Sequence, residues 1–327
     1  LTSQSKRQIV ARLASMIPAM KMKPKTLGWI AAAITVTIWT SFIVIARASA
    51  AYNLNPLDIV FLRFFGAAIV LLPWVLFSAR KPSQTPRSFF GLSPLPWTTT
   101  AVTGILGGVL YASLTYSGFF FAPAAHASVL LPGSLPLWTA VLTVFVLKDH
   151  ISRSRTIGLF CIFGGGLLVG GASLLAAFDG GDIWKGDLLF ISASACWSGY
   201  AVFVRRKGLG AIDATVSLTV FSVFTFLPIY AALAWGGIVS SRLATAPVGE
   251  LVFQALYQGG GTVVVAGVCF NLMVRYFDPV RTTMLTSVVP GLSALGAVIF
   301  LDEPLYLNLI LGLALVTTGI LIGARKA

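Results

Sequence analysis

The feature that most constrains this chain is a stretch, residues 88–147, that contains no Asp, Glu, Lys or Arg. A water-soluble fold cannot leave so long a segment uncharged, because its surface needs charged side chains. The turn sequence from Phe121 to Ala125 divides the stretch into two apolar runs of about 20 residues, the length that crosses a membrane as an α-helix. The segment therefore predicts two consecutive transmembrane helices joined by a tight connection.

The rest of the chain repeats this pattern. Its 327 residues are 57% hydrophobic and only 10% charged, with a mean hydropathy of +0.90, whereas a soluble domain is roughly 25% charged. We predict an all-α integral membrane protein, because the apolar runs are continuous and do not alternate as the strands of a membrane barrel do. Ten runs are long enough to serve as spans: 27–46, 57–77, 97–119, 126–147, 157–177, 188–204, 214–235, 251–274, 282–301 and 305–323.

The net charge of +13 comes from short basic clusters between these runs. If the ten helices alternate in direction, most Lys and Arg fall on the side of the N-terminus, and only Arg47, Lys185 and Arg242 fall in the opposite loops. Because cytoplasmic loops are enriched in Lys and Arg, we expect both termini to be cytoplasmic in a bacterial-type inner membrane. The same distribution accounts for the charge without a nucleic-acid partner, since the basic residues form no stripe on one fold.

The chain also contains an internal repeat. An offset of 158 places Gly28, Trp39 and Arg47 over Gly186, Trp197 and Arg205, and an offset of 154 aligns four positions of the later spans: Pro136, Asp149, Gly158 and Gly165 with Pro290, Glu303, Gly312 and Gly319. Each copy holds five spans, an odd number, so the second copy enters the membrane with opposite polarity. We predict a basic cytoplasmic tail (1–26) and two inverted five-helix repeats (27–178 and 179–327).

These features together resemble the ten-helix, EamA-type branch of the drug/metabolite transporter superfamily. The resemblance rests on a Trp in the first helix of each unit, an Arg early in the second helix, and a Pro followed thirteen residues later by an acidic residue: Trp39, Trp197, Arg63, Pro136 to Asp149 and Pro290 to Glu303. One departure is Asp149, where the pattern usually has Glu. The aromatic content of the spans is most similar to that of bacterial exporters of aromatic and neutral amino acids. The resemblance implies a secondary transporter of a small molecule, an amino acid or similar metabolite.

Aromatic and hydroxyl side chains at mid-span are the candidates for lining a substrate cavity. Trp39 and Trp197 lie about twelve residues into equivalent helices, too deep for the interfacial belt where membrane Trp usually lies. Polar side chains at this depth face the bundle interior, because lipid cannot satisfy them, although interhelical packing explains the same positions. We expect the cavity to be lined by Trp39, Tyr111, Tyr116, Trp138, Trp197, Tyr200 and Ser287.

Two further groups of residues are predicted to act through the backbone or through charge. Proline and glycine at equivalent depths of the fourth and ninth helices weaken the helical hydrogen bonding and predict hinges or static kinks at Pro132, Gly133, Pro136, Pro290 and Gly291. Arg63 is the cation inside a span, with Asp58 near the end of the same helix. We interpret both as structural charges, with attraction of a substrate carboxylate as the alternative for Arg63.

The predicted function is export or facilitated diffusion of small amino acids or metabolites by alternating access between the two halves. No Asp or Glu lies at the centre of a span, which favours a transport cycle without proton coupling. Proton-coupled drug or metabolite efflux and a sugar-derivative carrier remain open as alternatives. An intramembrane enzyme is the competing class, but the sequence has no HExxH, no GxSxG and no paired carboxylates within the spans. We expect no cofactor and no metal, and the sequence leaves the oligomeric state open.

Overall fold

The computed structural model describes residues 24–50, 53–79, 87–148, 152–176 and 181–324, and these ranges are mostly helical. They contain no β-strand, which confirms the predicted all-α fold class. Ten helices follow one another within these ranges: α1 (Pro24–Ala50), α2 (Pro56–Ala79), α3 (Trp97–Phe121), α4 (Ala124–Leu147), α5 (Arg153–Ala176), α6 (Ile183–Lys207), α7 (Ala211–Trp235), α8 (Val248–Phe277), α9 (Pro279–Leu301) and α10 (Leu307–Ala324).

These helices have the length and composition of membrane spans. Within the described residues, α1 to α9 each contain at least 18 residues and an apolar window, and α10 adds a shorter apolar helix over Leu307–Gly323. Large apolar side chains such as Phe145, Phe160 and Phe300 are more than 70% exposed on the outside of the bundle. Such a surface is stable only against lipid, so the chain is a multi-pass membrane protein.

The packing of the helices follows the repeat in the sequence. Helix α1 packs against α8 and α9, and its counterpart α6 packs against α3 and α4. Likewise α2 packs against α8, and its counterpart α7 packs against α3. The counterparts α5 and α10 pack against each other. Exchanging the first five helices with the second five therefore returns each of these contacts, as expected for inverted repeats. The predicted boundary between the two repeats, at residues 178 and 179, lies within residues 177–180, which are outside the described ranges.

Departures from regular helix recur at equivalent positions in both halves. Helix α3 contains a π-helical segment at Gly104–Leu110, and α8 contains one at Ala255–Val265. Helices α4 and α9 are both interrupted, and their second segments are Leu135–Leu147 and Val289–Leu301, related by the offset of 154. The residues after these segments, Lys148 and Asp302, both have left-handed backbone with φ of 57° and 53°. The two halves thus share their local backbone as well as their topology.

The contact between α5 and α10 depends on glycine. A Cβ atom at Gly158 would lie 2.3 Å from the carbonyl oxygen of Gly319, and one at Gly165 would lie 2.6 Å from the carbonyl oxygen of Gly312. The two backbones therefore touch, as small residues allow in membrane helices. This contact ties the last helix of one half to the last helix of the other.

Candidate functional site

An aromatic cluster lies where the two halves meet. Trp39 of α1 and Trp197 of α6 touch edge to face, with ring centroids 5.9 Å apart. The Tyr111 ring lies 4.7 Å from Trp197, and the Phe270 ring lies 5.2 Å from both tryptophans. The equivalent tryptophans of the repeat are therefore direct neighbours, supported by aromatic side chains of α3 and α8.

A small cavity lies beside this cluster, and we call it the aromatic cavity. It contains residues from both halves: Trp39, Phe42, Ile43, Tyr111, Leu131, Pro132, Leu135, Trp197 and Val289. Its free space is about 20 Å³, which is room for about one water molecule. The indole N–H of Trp197 is buried and has no hydrogen-bond partner among the described residues. The wall of the cavity is largely apolar, and the helices must separate before a solute can enter.

The structure brings only part of the predicted set to this cavity. Trp39, Tyr111 and Trp197 line it, whereas Tyr116 and Tyr200 are fully buried away from it. The Tyr200 hydroxyl accepts a hydrogen bond from the Asn271 side chain at 2.7 Å, which directs it into the packing between helices. Trp138 does not line the cavity, and its buried indole N–H has no hydrogen-bond partner in the part of the chain that the structure describes. The side chain of Ser287 lies outside the described residues.

Sequence reasoning missed the apolar part of the lining. Phe42 and Ile43 lie one turn after Trp39, so helical spacing places all three on the same face of α1. This spacing is the sequence signal that could have identified Phe42 and Ile43 as cavity residues. The sequence gives no such signal for Leu131, Leu135 and Val289. An apolar residue that lines a cavity cannot be told by residue type from one that packs in the core.

The predicted hinges coincide with the interruptions of α4 and α9. The first segment of α4 ends at Leu130 and the second begins at Leu135, and Pro132 lines the aromatic cavity between them. In α9 a 3-10 turn at Thr286–Val288 precedes the segment that contains Pro290 and Gly291 near its start. In α4, Pro136 occupies the position that corresponds to Pro290 of α9. The two interruptions place broken backbone next to the cavity, where a change in helix angle alters its size.

Arg63 is buried in the interior of α2 and is only 4% exposed. Its Nη1 atom donates to the hydroxyl of Tyr116 at 3.3 Å and to the hydroxyl of Thr262 at 2.5 Å. The Tyr116 hydroxyl in turn donates to the side-chain oxygen of Gln258 at 2.6 Å. We call these four residues the Arg63 cluster. It joins α2, α3 and α8 next to the cavity residue Phe42, whose ring centroid lies 5.9 Å from Arg63 Cζ.

Asp58 does not belong to this cluster. Its carboxylate accepts hydrogen bonds from the Tyr230 hydroxyl, from the Ser241 hydroxyl at 2.9 Å, and from the backbone N–H groups of Asn55 and Arg242. These partners belong to the start of α2, the end of α7 and the loop that follows α7. Asp58 therefore anchors that loop to α2, in keeping with a structural charge.

A second polar connection joins the halves at the end of the bundle where α1 finishes. Arg47 forms an ion pair with Glu303 at 3.1 Å and donates to the carbonyl oxygen of Phe119 at 2.7 Å. Glu303 also accepts from the backbone N–H groups of Ala124 and Ala125 at the start of α4. A carboxylate is stabilised there, because the first N–H groups of a helix have no partner within it. The connection links α1, α3, α4 and the segment before α10.

The opposite end of the bundle, where α1 begins, is open and basic. A cavity of about 630 Å³ there is lined by Thr143, Leu147, Arg155, Arg205, Arg206, Asp278, Pro279 and Val280. Such a cavity attracts anions from the adjacent solution. Among the described residues, no group of three or more His, Cys, Asp or Glu side chains is arranged to hold a metal ion.

Comparison with known proteins gives the context of this geometry. The model of the EamA-like transporter family matches the chain twice, over residues 26–171 and 184–324. The transporter YyaM of Bacillus subtilis (strain 168), itself uncharacterized, is 25% identical over 78% of this chain and 79% of the relative. The S-adenosylmethionine uptake transporter of Rickettsia bellii (strain RML369-C) is 33% identical over 32% of each chain. A solved crystal structure shares the fold, with a TM-score of 0.62 and 18% identity over 92% of this chain and 99% of that one.

Proposed function

We propose that this chain, which belongs to the EamA-like transporter family, carries small amino acids or similar metabolites across the membrane by alternating access. A multi-pass membrane transporter is the general class of the family. The substrate, the transport direction and the roles of individual residues are our proposal.

The observation that carries the proposal is the aromatic cavity between the two halves. Aromatic rings at its wall offer dispersion and a face for an ammonium group, at about 0.5–2 kcal/mol per contact. Contacts of this strength support low affinity and broad selectivity among neutral and aromatic amino acids. The small free volume in this state fits a cycle in which one half moves against the other before the solute enters.

We further propose that the cycle is not coupled to protons. Asp58 and Asp187, which are both buried, lie in the first two turns of α2 and α6 and thus away from the cavity. A substrate without a net positive charge needs no carboxylate in the cavity to bind it. Proton-coupled efflux would need a titratable group whose charge changes during the cycle, and the buried pair of His126 and Asp187 is the arrangement to test for it.

Flux into proteoliposomes tests the proposed function. The purified chain is reconstituted at equal pH on both sides, and uptake is measured for aromatic, neutral and charged amino acids and for S-adenosylmethionine, the substrate named for the rickettsial relatives. We expect saturable uptake of neutral and aromatic amino acids above that of protein-free liposomes. Uptake equal to that of protein-free liposomes for every solute would refute the proposed substrate class.

Orientation needs a separate test. We propose that both termini are cytoplasmic, because of the Lys and Arg distribution. In a background with Cys161, Cys196 and Cys269 replaced by Ala, single cysteines at the exposed positions Lys207 and Gly236 are labelled with an impermeant reagent on intact cells. We expect labelling at position 236 and protection at position 207, and the reverse pattern would invert the topology.

A further inference from the structure

The Arg63 cluster carries a positive charge that no acidic side chain of the described ranges neutralises. Among the described residues, no ion pair includes Arg63, and Asp58 on the same helix is engaged elsewhere. A cation buried in a membrane span is unfavourable unless it has a counter-charge or a function that needs it. The two hydroxyl groups that Arg63 contacts are neutral and remove only part of this penalty.

The cluster also has more donors than acceptors. The Tyr116 oxygen accepts from Arg63, so its own proton goes to the side-chain oxygen of Gln258. The Thr262 hydroxyl donates to the backbone oxygen of Gln258 at 2.5 Å. Two buried nitrogen atoms, Nε of Arg63 and Nε2 of Gln258, have no hydrogen-bond acceptor among the described residues. Because buried donors are normally satisfied, an unpartnered amide nitrogen next to an incompletely partnered guanidinium indicates an anionic acceptor.

The backbone holds these donors at a close crossing of α2 and α8. A Cβ atom at Gly66 would lie 2.0 Å from the carbonyl oxygen of Ala255, and one at Gly259 would lie 2.4 Å from the backbone nitrogen of Ala67. Gln258 and Thr262 both belong to the π-helical segment of α8, a feature that recurs at functional sites in helices. The two unsatisfied donors are therefore presented by rigid elements, as a preorganised binding site requires.

The cluster and the aromatic cavity share a wall. Phe42 lines the cavity, and Arg63 Cζ lies 5.9 Å from the centroid of its ring. Tyr116 packs edge to face on Phe42 at 5.9 Å between centroids. A shift of the Phe42 ring would thus bring the cavity into contact with Arg63. A solute of amino-acid size can then place its apolar part among the tryptophans and its polar end at Arg63.

We propose that Arg63 and Gln258 form the binding site for the carboxylate of the transported substrate, and that a free carboxylate is the feature by which this chain selects its substrates. The inference rests on the proposed function, because it names the chemical class that the aromatic cavity accepts. The planar guanidinium presents parallel N–H groups to the two oxygens of a carboxylate, and the Gln258 amide supplies a further donor. A carboxamide of the same shape carries no charge and binds less well.

The test compares an amino acid with its carboxamide in the same proteoliposomes. We expect the wild-type chain to prefer the acid by on the order of tenfold or more, Arg63→Gln to lose this preference while still carrying the carboxamide, and Arg63→Lys to retain part of it. Gln258→Met should lower the preference less than Arg63→Gln. Arg281→Gln is the matched control, since Arg281 is 60% exposed at the start of α9, and it should keep the wild-type preference.

Several results would overturn the proposal. Equal loss of acid and carboxamide flux in a folded Arg63→Gln protein would make Arg63 a structural anchor, and a wild-type chain without preference would remove the carboxylate site. If the Arg63 variants do not fold, the melting temperature of the wild-type protein is measured with each ligand. The amino acid should raise this temperature and its carboxamide should not. This binding measurement also separates the two proposals. Stabilisation by the acid without any flux refutes the proposed function alone, and equal stabilisation by both ligands refutes the carboxylate site alone.

Discussion

Trp39 and Trp197 meet edge to face across the interface of the two halves, with an angle of 73° between their rings. The two residues occupy equivalent positions in the repeat, so each half contributes the same side chain to one contact. A pair of this kind changes its geometry whenever one half moves against the other. The contact thus joins the proposed conformational cycle to the wall of the aromatic cavity.

Removal of the Trp197 side chain should impair transport more than folding. Trp197→Ala takes away one wall of the cavity and its unpaired indole N–H, so we expect flux to fall about tenfold or the order of substrates to change. The protein should remain monodisperse in detergent. Trp235→Ala is the control, because Trp235 is 94% exposed at the end of α7 and should leave flux unaltered. If Trp39→Ala and Trp197→Ala both keep wild-type flux for every solute, the tryptophans serve packing only.

Glycine at the crossing of α2 and α8 should be essential for stability. In Gly66→Ala the new methyl group would meet the Ala255 carbonyl at 2.0 Å, so the helices must separate, at a cost of about 1–3 kcal/mol or more. Gly249→Ala in the first turn of α8 is the control, because nothing lies within 4 Å of its Cβ position. That variant should be neutral or slightly stabilising. Thermal unfolding in detergent compares the two, and equal melting temperatures would contradict the close crossing.

The Arg47–Glu303 connection should stabilise this conformation. Glu303→Gln removes the ion pair and weakens the acceptor for two helix N–H groups. We expect the free energy of unfolding to fall by about 2 kcal/mol, a value that allows for solvent screening because the Arg47 side chain is 33% exposed. Asp182→Asn breaks the exposed pair with Lys185 and should cost clearly less. A double-mutant cycle with Arg47→Gln measures the coupling between Arg47 and Glu303. Additive effects of the two substitutions would show that they do not stabilise each other.

Transport should not require a proton gradient. The described buried carboxylates Asp58 and Asp187 have structural partners near the ends of their helices, so we expect uptake at equal pH on both sides and no gain from an imposed gradient. Asp187→Asn should keep the same insensitivity, with any loss of flux reflecting the broken contact to His126. Strict dependence on an imposed gradient that disappears in Asp187→Asn would identify this pair as the coupling site.

Part of this architecture can be predicted from the amino-acid sequence alone. Apolar runs of membrane length and the asymmetry of Lys and Arg predicted ten helices and their proposed orientation, because lipid admits only continuous helices or closed barrels. The repeat assigned Trp39 and Trp197 to equivalent depths in the two halves, and proline and glycine predicted breaks in α4 and α9 near Pro132 and Pro290. These are local or periodic properties of the sequence, and none of them requires knowledge of a contact between distant helices.

The contacts between distant helices were decided by the tertiary structure alone. Nothing in the sequence distinguishes Leu131 or Val289 as cavity residues, since packing and cavity lining demand the same apolar character. The sequence marks Arg63 as a buried charge but names no partner for it, and the folded chain gives it the hydroxyls of Tyr116 and Thr262, 53 and 199 residues away. Whether a buried charge is neutralised depends on which helices cross beside it, and only the complete packing fixes that arrangement.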